Sequence, residues 1–147
     1  MWIPGIRLYY SLLSIIYSLF SSTRILSTAF HFPATSVSLL QIILKKLSDE
    51  KIKALFFCVG ENVQKYPELI HQIKDEGHSF GNHTFNHLNG IKTSDADYLE
   101  DIKLAKEYID SKLFRPPYGK ITPFQVKQLM KPLYRLSTIM WTVLSGD

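Results

Sequence analysis

Apolar residues return at intervals of three and four between Ser36 and Ser48, where Val37, Leu40, Leu44 and Leu47 fall on one stripe and predict an amphipathic helix. The period then changes. Ala54 to Val59 is a continuous apolar run of strand length, of the kind buried on both faces in a parallel sheet. A second helix is expected from Pro67, which suits a first helical position, with Leu69, Ile70 and Ile73 facing inward and Gly77 as the stop. His78 to Gly81 reads as a short strand. Ser94, with Asp97 three residues on, makes a capping box for the longest helix, in which Tyr98, Ile102, Ala105 and Ile109 repeat on one face and whose end is expected near Lys112. Leu113 to Arg115 reads as a strand, Thr122-Pro123 as the cap of a helix through Met130, and Ser137 to Trp141 as the last strand. This alternation predicts parallel βαβ units and an α/β fold.

Composition adds bounds rather than elements. With 147 residues, 46% of them hydrophobic, the chain can bury one core. Its net charge of +4 comes from one end: residues 1–48 hold Arg7, Arg24, Lys45 and Lys46 and no Asp or Glu, while the remaining 13 basic residues face 13 acidic ones. Such a distribution is not a basic face built for phosphates, and no nucleic-acid partner is expected. The single cysteine, Cys58, lies inside the apolar run and is expected to be a buried, inert thiol.

Leu8 to Phe20, LYYSLLSIIYSLF, is apolar apart from its serines and is flanked by Arg7 and Arg24. It falls short of the roughly 20 residues that span a bilayer. It fits the apolar core of a signal peptide or anchor, which would bring membrane association and an exported or envelope location, and equally an ordinary buried segment. The expected division is an acid-free N-terminal segment, residues 1–33, followed by a partial domain over 34–147. No repeat or low-complexity tract is present, and nothing in the chain speaks to oligomeric state.

The chemistry concentrates in Gly77 to His87, GHSFGNHTFNH, where His83 and His87 stand four residues apart. On a helical turn that spacing places both imidazoles on one face, close enough to grip a single ion, and zinc accepts neutral imidazole readily. Farther on, Phe114-Arg115-Pro116-Pro117-Tyr118-Gly119 is a stiff turn, because two prolines fix φ and remove two backbone donors. His83, His87, Arg115, Tyr118 and Trp141 all follow expected strand C-termini, the end at which α/β sheets and barrels gather their chemistry. His71 is expected to be an exposed helix residue and His78 a strand residue, both with structural roles.

HTxxH followed by RPPY, with the strand-like FFCVG upstream, resembles the polysaccharide deacetylase family, the NodB homology domain of carbohydrate esterase family 4. The resemblance covers Ala54 to Asp147. It implies a (β/α) barrel and a hydrolase that removes N-acetyl groups from glycans such as peptidoglycan or chitin-like chains. It also implies His83 and His87 as ligands of a divalent metal, usually zinc, and Arg115 as the residue orienting a catalytic aspartate. The Tyr118 main-chain amide would help hold the oxyanion, and Trp141, in the ending MWTVLSGD, would wall the acetyl pocket.

The family's acidic first motif, TFDDGP, supplies the general base and the third metal ligand. Here the corresponding stretch reads Thr28-Ala29-Phe30-His31-Phe32-Pro33, with no acid before Asp49. An imidazole at His31 is a candidate replacement ligand, but no base stands beside it. Thr142 occupies a position where relatives often have aspartate, and the chain reaches Asp147 before the fifth motif with its general acid. A full barrel commonly takes about 200 residues or more. The expectation is therefore an incomplete or distorted barrel and an impaired deacetylase, with a non-catalytic glycan-binding remnant as the alternative. Divergence and a frameshifted or truncated reading frame would both produce such a start.

Overall fold

The computed structural model describes the backbone of residues 25–30 and 36–39 and the complete residues 40–140. Five strands form one sheet: β1 Ile25–Phe30, β2 Lys53–Cys58, β3 Ser79–Asn82, β4 Leu113–Phe114 and β5 Ser137–Thr138. Their order is β1-β2-β3-β4-β5 and every pair is parallel. Successive strands are thus neighbours without reversal, the arrangement of a (β/α) barrel wall; a doubly wound sheet would reverse its order at a switch point. The connecting helices are α1 Ser36–Asp49, α2 Gly60–Lys65, α3 Glu68–Asp75, α4 Asp95–Lys106 and α5 Pro123–Leu129, with a 3-10 turn at Pro117–Gly119.

Most of these elements follow from local pattern. Leu40, Ile43, Leu44 and Leu47 of α1 are buried against Phe56, Cys58, Leu69 and Ile73, and each such aliphatic side chain contributes roughly 1.5–3 kcal/mol when removed from water. The end of α3 is a Schellman turn: Gly77, at φ +71, donates to the Lys74 carbonyl, and the His78 N–H reaches the Ile73 carbonyl. Ser94 caps α4 by accepting from the Asp97 N–H, and its hydroxyl donates to the Asp97 carboxylate, so the reciprocal half of the expected capping box is replaced by a side-chain bond. At α5 the full box forms between Thr122 and Gln125.

Several boundaries differ from the sequence reading. Pro67 is the N-cap of α3 rather than its first residue. Helix α4, expected to be the longest, has 12 residues against 14 in α1 and stops at Lys106; a turn then still delivers Ile109 into the core, its N–H bonded to the Ala105 carbonyl. Helix α2 and strand β1 were not anticipated as separate elements. The former begins on glycine and carries no apolar period, and it forms because the Gly60 and Glu61 N–H groups find the carbonyls of Thr84 and Phe85. Only Ser137 and Thr138 of the last expected strand pair, and Trp141 lies outside the described residues.

Two core clusters result. One joins α1, α3 and β2; the other packs Tyr98 and Ile102 of α4 on Phe114, Leu129, Tyr134 and Leu136. Cys58 is buried, which pushes its thiol up to about 12, and His71 is exposed. Among the described residues no helix is long and apolar enough to cross a membrane; Leu8 to Phe20 lies outside them.

Candidate functional site

The site grows from the C-terminal ends of β3 and β4. Register pairs Asn82 with Phe114, and the Arg115 N–H continues the ladder to the Asn82 carbonyl, 3.0 Å away. Beyond that point both chains turn. Asn82 is fully buried and steers the first turn: its amide donates to the Ile102 carbonyl on α4 and its Oδ1 accepts the Thr84 N–H at 2.9 Å.

His83 and His87 are not on a helical turn. They bracket an irregular loop in which Thr84 (φ 64) and His87 (φ 57) both adopt the left-handed region, which is uncommon for a β-branched residue above all. The loop nonetheless brings the rings together, with centroids 5.0 Å apart in an edge-to-face arrangement. Helical spacing thus anticipated the proximity for the wrong reason. Two contacts hold the backbone from either side. The α2 N-terminus donates to the Thr84 and Phe85 carbonyls, and the carboxylate of Asp101 on α4 accepts the Phe85 N–H at 2.8 Å and the Asn86 N–H at 3.1 Å.

His83 is buried, and its Nδ1 lies 2.7 Å from the Arg115 carbonyl oxygen. A carbonyl only accepts, so Nδ1 carries a proton, and in the neutral imidazole the lone pair then belongs to Nε2. The half-buried His87 places Nδ1 3.1 Å from the Tyr118 hydroxyl, and the two rings meet at 4.8 Å. Tyr118 is itself left-handed (φ 57, ψ 8) within the 3-10 turn. The sequence placed its contribution in the main chain; its side chain, 45% exposed, is what touches the histidine. The Arg115 side chain is buried, with its guanidinium 4.3 Å above the Phe57 ring.

Donor chemistry at His83 fits a metal ligand, whose second ring nitrogen ordinarily donates to a carbonyl or carboxylate. Among the described residues no three His, Cys, Asp or Glu side chains converge. His31, Trp141, Thr142 and Asp147 lie outside those residues, and of the first-motif stretch only Thr28 to Phe30, in β1, is placed. His78 stands apart from this group, next to β3 rather than in it, where its Nδ1 accepts the Ala54 N–H of β2.

A family model described as polysaccharide deacetylase matches residues 27–133. The chain belongs to the polysaccharide deacetylase family. The match takes in β1 and so reaches farther toward the N-terminus than the resemblance from Ala54 onward. A peptidoglycan-N-acetylglucosamine deacetylase of Bacillus cereus is 35% identical over 116 residues, which cover 71% of this chain and 42% of the relative. Among solved structures, a crystal structure of a peptidoglycan N-acetylglucosamine deacetylase bound to a naphthyl N-hydroxybenzamide superposes with a TM-score of 0.70 at 30% identity, over 80% of this chain and 56% of that one. A carbohydrate esterase family 4 pseudoenzyme from Bacillus anthracis matches at 25% identity and a TM-score of 0.67, over 83% of this chain and 44% of that one. The chain spans about half the length of the relatives it matches.

Missed at the sequence level was Asp101. Its signal was present: it stands three residues after Tyr98 and four before Ala105, an acid on the apolar stripe of α4.

Proposed function

We propose that this chain is an impaired deacetylase of N-acetylated glycans of the peptidoglycan type, in which His83 and His87 take a divalent metal, zinc being the natural candidate. The carrying observation is the bond between His83 Nδ1 and the Arg115 carbonyl, which joins the two family motifs and fixes Nδ1 as the donor, the arrangement that a metal-ligating histidine ordinarily shows. A metal held there would supply Lewis acidity toward an amide carbonyl. The chain's own residues do the rest of what is in place: the Arg115 main chain fixes the His83 tautomer and the Tyr118 hydroxyl holds His87. Trp141 is assigned to the acetyl pocket by the family resemblance alone.

Impairment follows from the residues at the first motif. Thr28 to Pro33 contains no carboxylate, and general-base catalysis typically contributes about 10²- to 10⁴-fold. A glycan partner goes with this reading, as does an exported or envelope-associated location served by Leu8 to Phe20. The second reading, a non-catalytic glycan-binding domain, is favoured by one observation: the same fold is carried by a relative described as a pseudoenzyme.

Acetate release from N-acetylglucosamine oligomers and from peptidoglycan, with zinc or cobalt added, tests the proposal together with calorimetric zinc titration. Background acetate release and weak zinc binding that is lost in both His83→Ala and His87→Ala are expected. Chelator-sensitive turnover would overturn the impairment. Tight zinc binding that survives both substitutions would overturn the site.

A further inference from the structure

Among the described residues Asp101 is the acidic side chain that is buried, at 7% exposure. It sits on the inner face of α4 between Tyr98 and Ile102, both fully buried, yet points its carboxylate at backbone. One oxygen, Oδ2, accepts the N–H groups of Phe85 and Asn86; the other, Oδ1, accepts the Asn86 side-chain amide at 2.6 Å and lies 3.3 Å from the Asn86 N–H. Hydrogen bonds to an ionised acceptor are roughly twice as strong as neutral ones. They fall on consecutive residues midway between His83 and His87, with a left-handed residue on either side, Thr84 and His87. Backbone in that region persists only where its surroundings over-determine it.

We propose that Asp101 is the positioning residue of the histidine loop. Its carboxylate clamps Phe85 and Asn86, and thereby sets the backbone from which both imidazoles reach one metal ion. It acts through the main chain, by its bonds to the Phe85 and Asn86 N–H groups. The inference rests on the reading of His83 and His87 as ligands for its consequence, but not for the clamp itself.

The test uses the whole chain and the isosteric Asp101→Asn, which sets an NH₂ group among the donors that the carboxylate satisfied. Zinc affinity is measured by calorimetry, the imidazole nitrogens of the metal-free protein by ¹⁵N NMR, and folding by thermal melting. Asp101→Asn is expected to lower zinc affinity about tenfold or more, as loss of an outer-shell partner does, and to move the His83 and His87 nitrogen resonances toward those of free histidine. Asp101→Glu should recover part of the affinity. Leu47→Ala, a core truncation on α1, should lower the melting temperature and leave the imidazole resonances in place. Wild-type imidazole resonances and affinity in Asp101→Asn, or equal resonance changes in Leu47→Ala, would overturn the proposal. Should Asp101→Asn not fold, Asn86→Ala decides: it removes one bond from an exposed side chain, and unchanged imidazole resonances would then overturn it. A wild-type chain that binds no zinc would defeat the metal reading, while the NMR comparison would still decide the clamp.

Discussion

The Nδ1 of His83 lies 2.7 Å from the main-chain oxygen of Arg115, so that two motifs 32 residues apart in sequence share one hydrogen bond. The partner atom belongs to the backbone. What the arginine side chain does and what its carbonyl does can therefore be separated by mutation.

Arg115→Ala should keep the carbonyl and with it the His83 tautomer, so zinc affinity is expected to change by less than about threefold. Stability should fall by about 1–3 kcal/mol, because the substitution empties a buried site and removes the guanidinium stacked on Phe57. Calorimetry and denaturant melts measure the two effects independently; a collapse of zinc affinity at unchanged stability would contradict the separation.

Tyr118→Phe deletes the hydroxyl that meets His87 Nδ1 and nothing else of the ring contact. Because the tyrosine is partly exposed, a loss at the low end of outer-shell effects is expected, about tenfold in zinc affinity, with little change in melting temperature.

Gly90→Ala should be among the more damaging single-methyl changes. A Cβ there would lie 2.5 Å from the Lys120 main-chain oxygen and 2.8 Å from Gln125 Oε1, and neither has room to yield, since Gln125 is fully buried and bonded to Gly90 and Thr122. Overpacking of this kind typically costs 1–3 kcal/mol, and a melt of the variant against wild type measures it.

Acidification should destabilise the fold through His78. Burial, aided by the Lys53 charge, holds this imidazole below its ordinary value of 6.5, with Glu76 opposing. The unfolded chain then binds the proton more readily than the folded one, so the stability present above pH 6.5 is lost as pH falls below it toward the depressed folded-state value. His78→Asn, which offers an oxygen to the Ala54 N–H in place of Nδ1, should flatten that part of the pH–stability curve. An unchanged slope in the variant would assign the acid sensitivity elsewhere.

How much of this was legible depended on whether the cause was local. The stripe of α1, the Gly77 stop and the Thr122 cap are set by residues within a few positions of each other, and the sequence displayed them. The parallel α/β architecture followed from their alternation. The histidine loop did not, because its backbone is dictated by groups far along the chain: Asp101 on α4, Gly60 on α2 and the Arg115 carbonyl. A helical turn was the natural reading of the His83 to His87 spacing, and nothing nearby signalled the left-handed Thr84 and His87. Helix α2 escaped notice for the same reason, since its first N–H groups are satisfied by that loop.

The mutual capping of α2 and the loop has a dynamic consequence. Since the Gly60 and Glu61 N–H groups end on the Thr84 and Phe85 carbonyls, the histidines cannot swing away without stripping the first turn of a six-residue helix of its acceptors. Opening of the loop and fraying of that helix are then one event, and the exchange of the Gly60 and Glu61 amides with deuterated solvent becomes a clock for how often the histidine loop lets go.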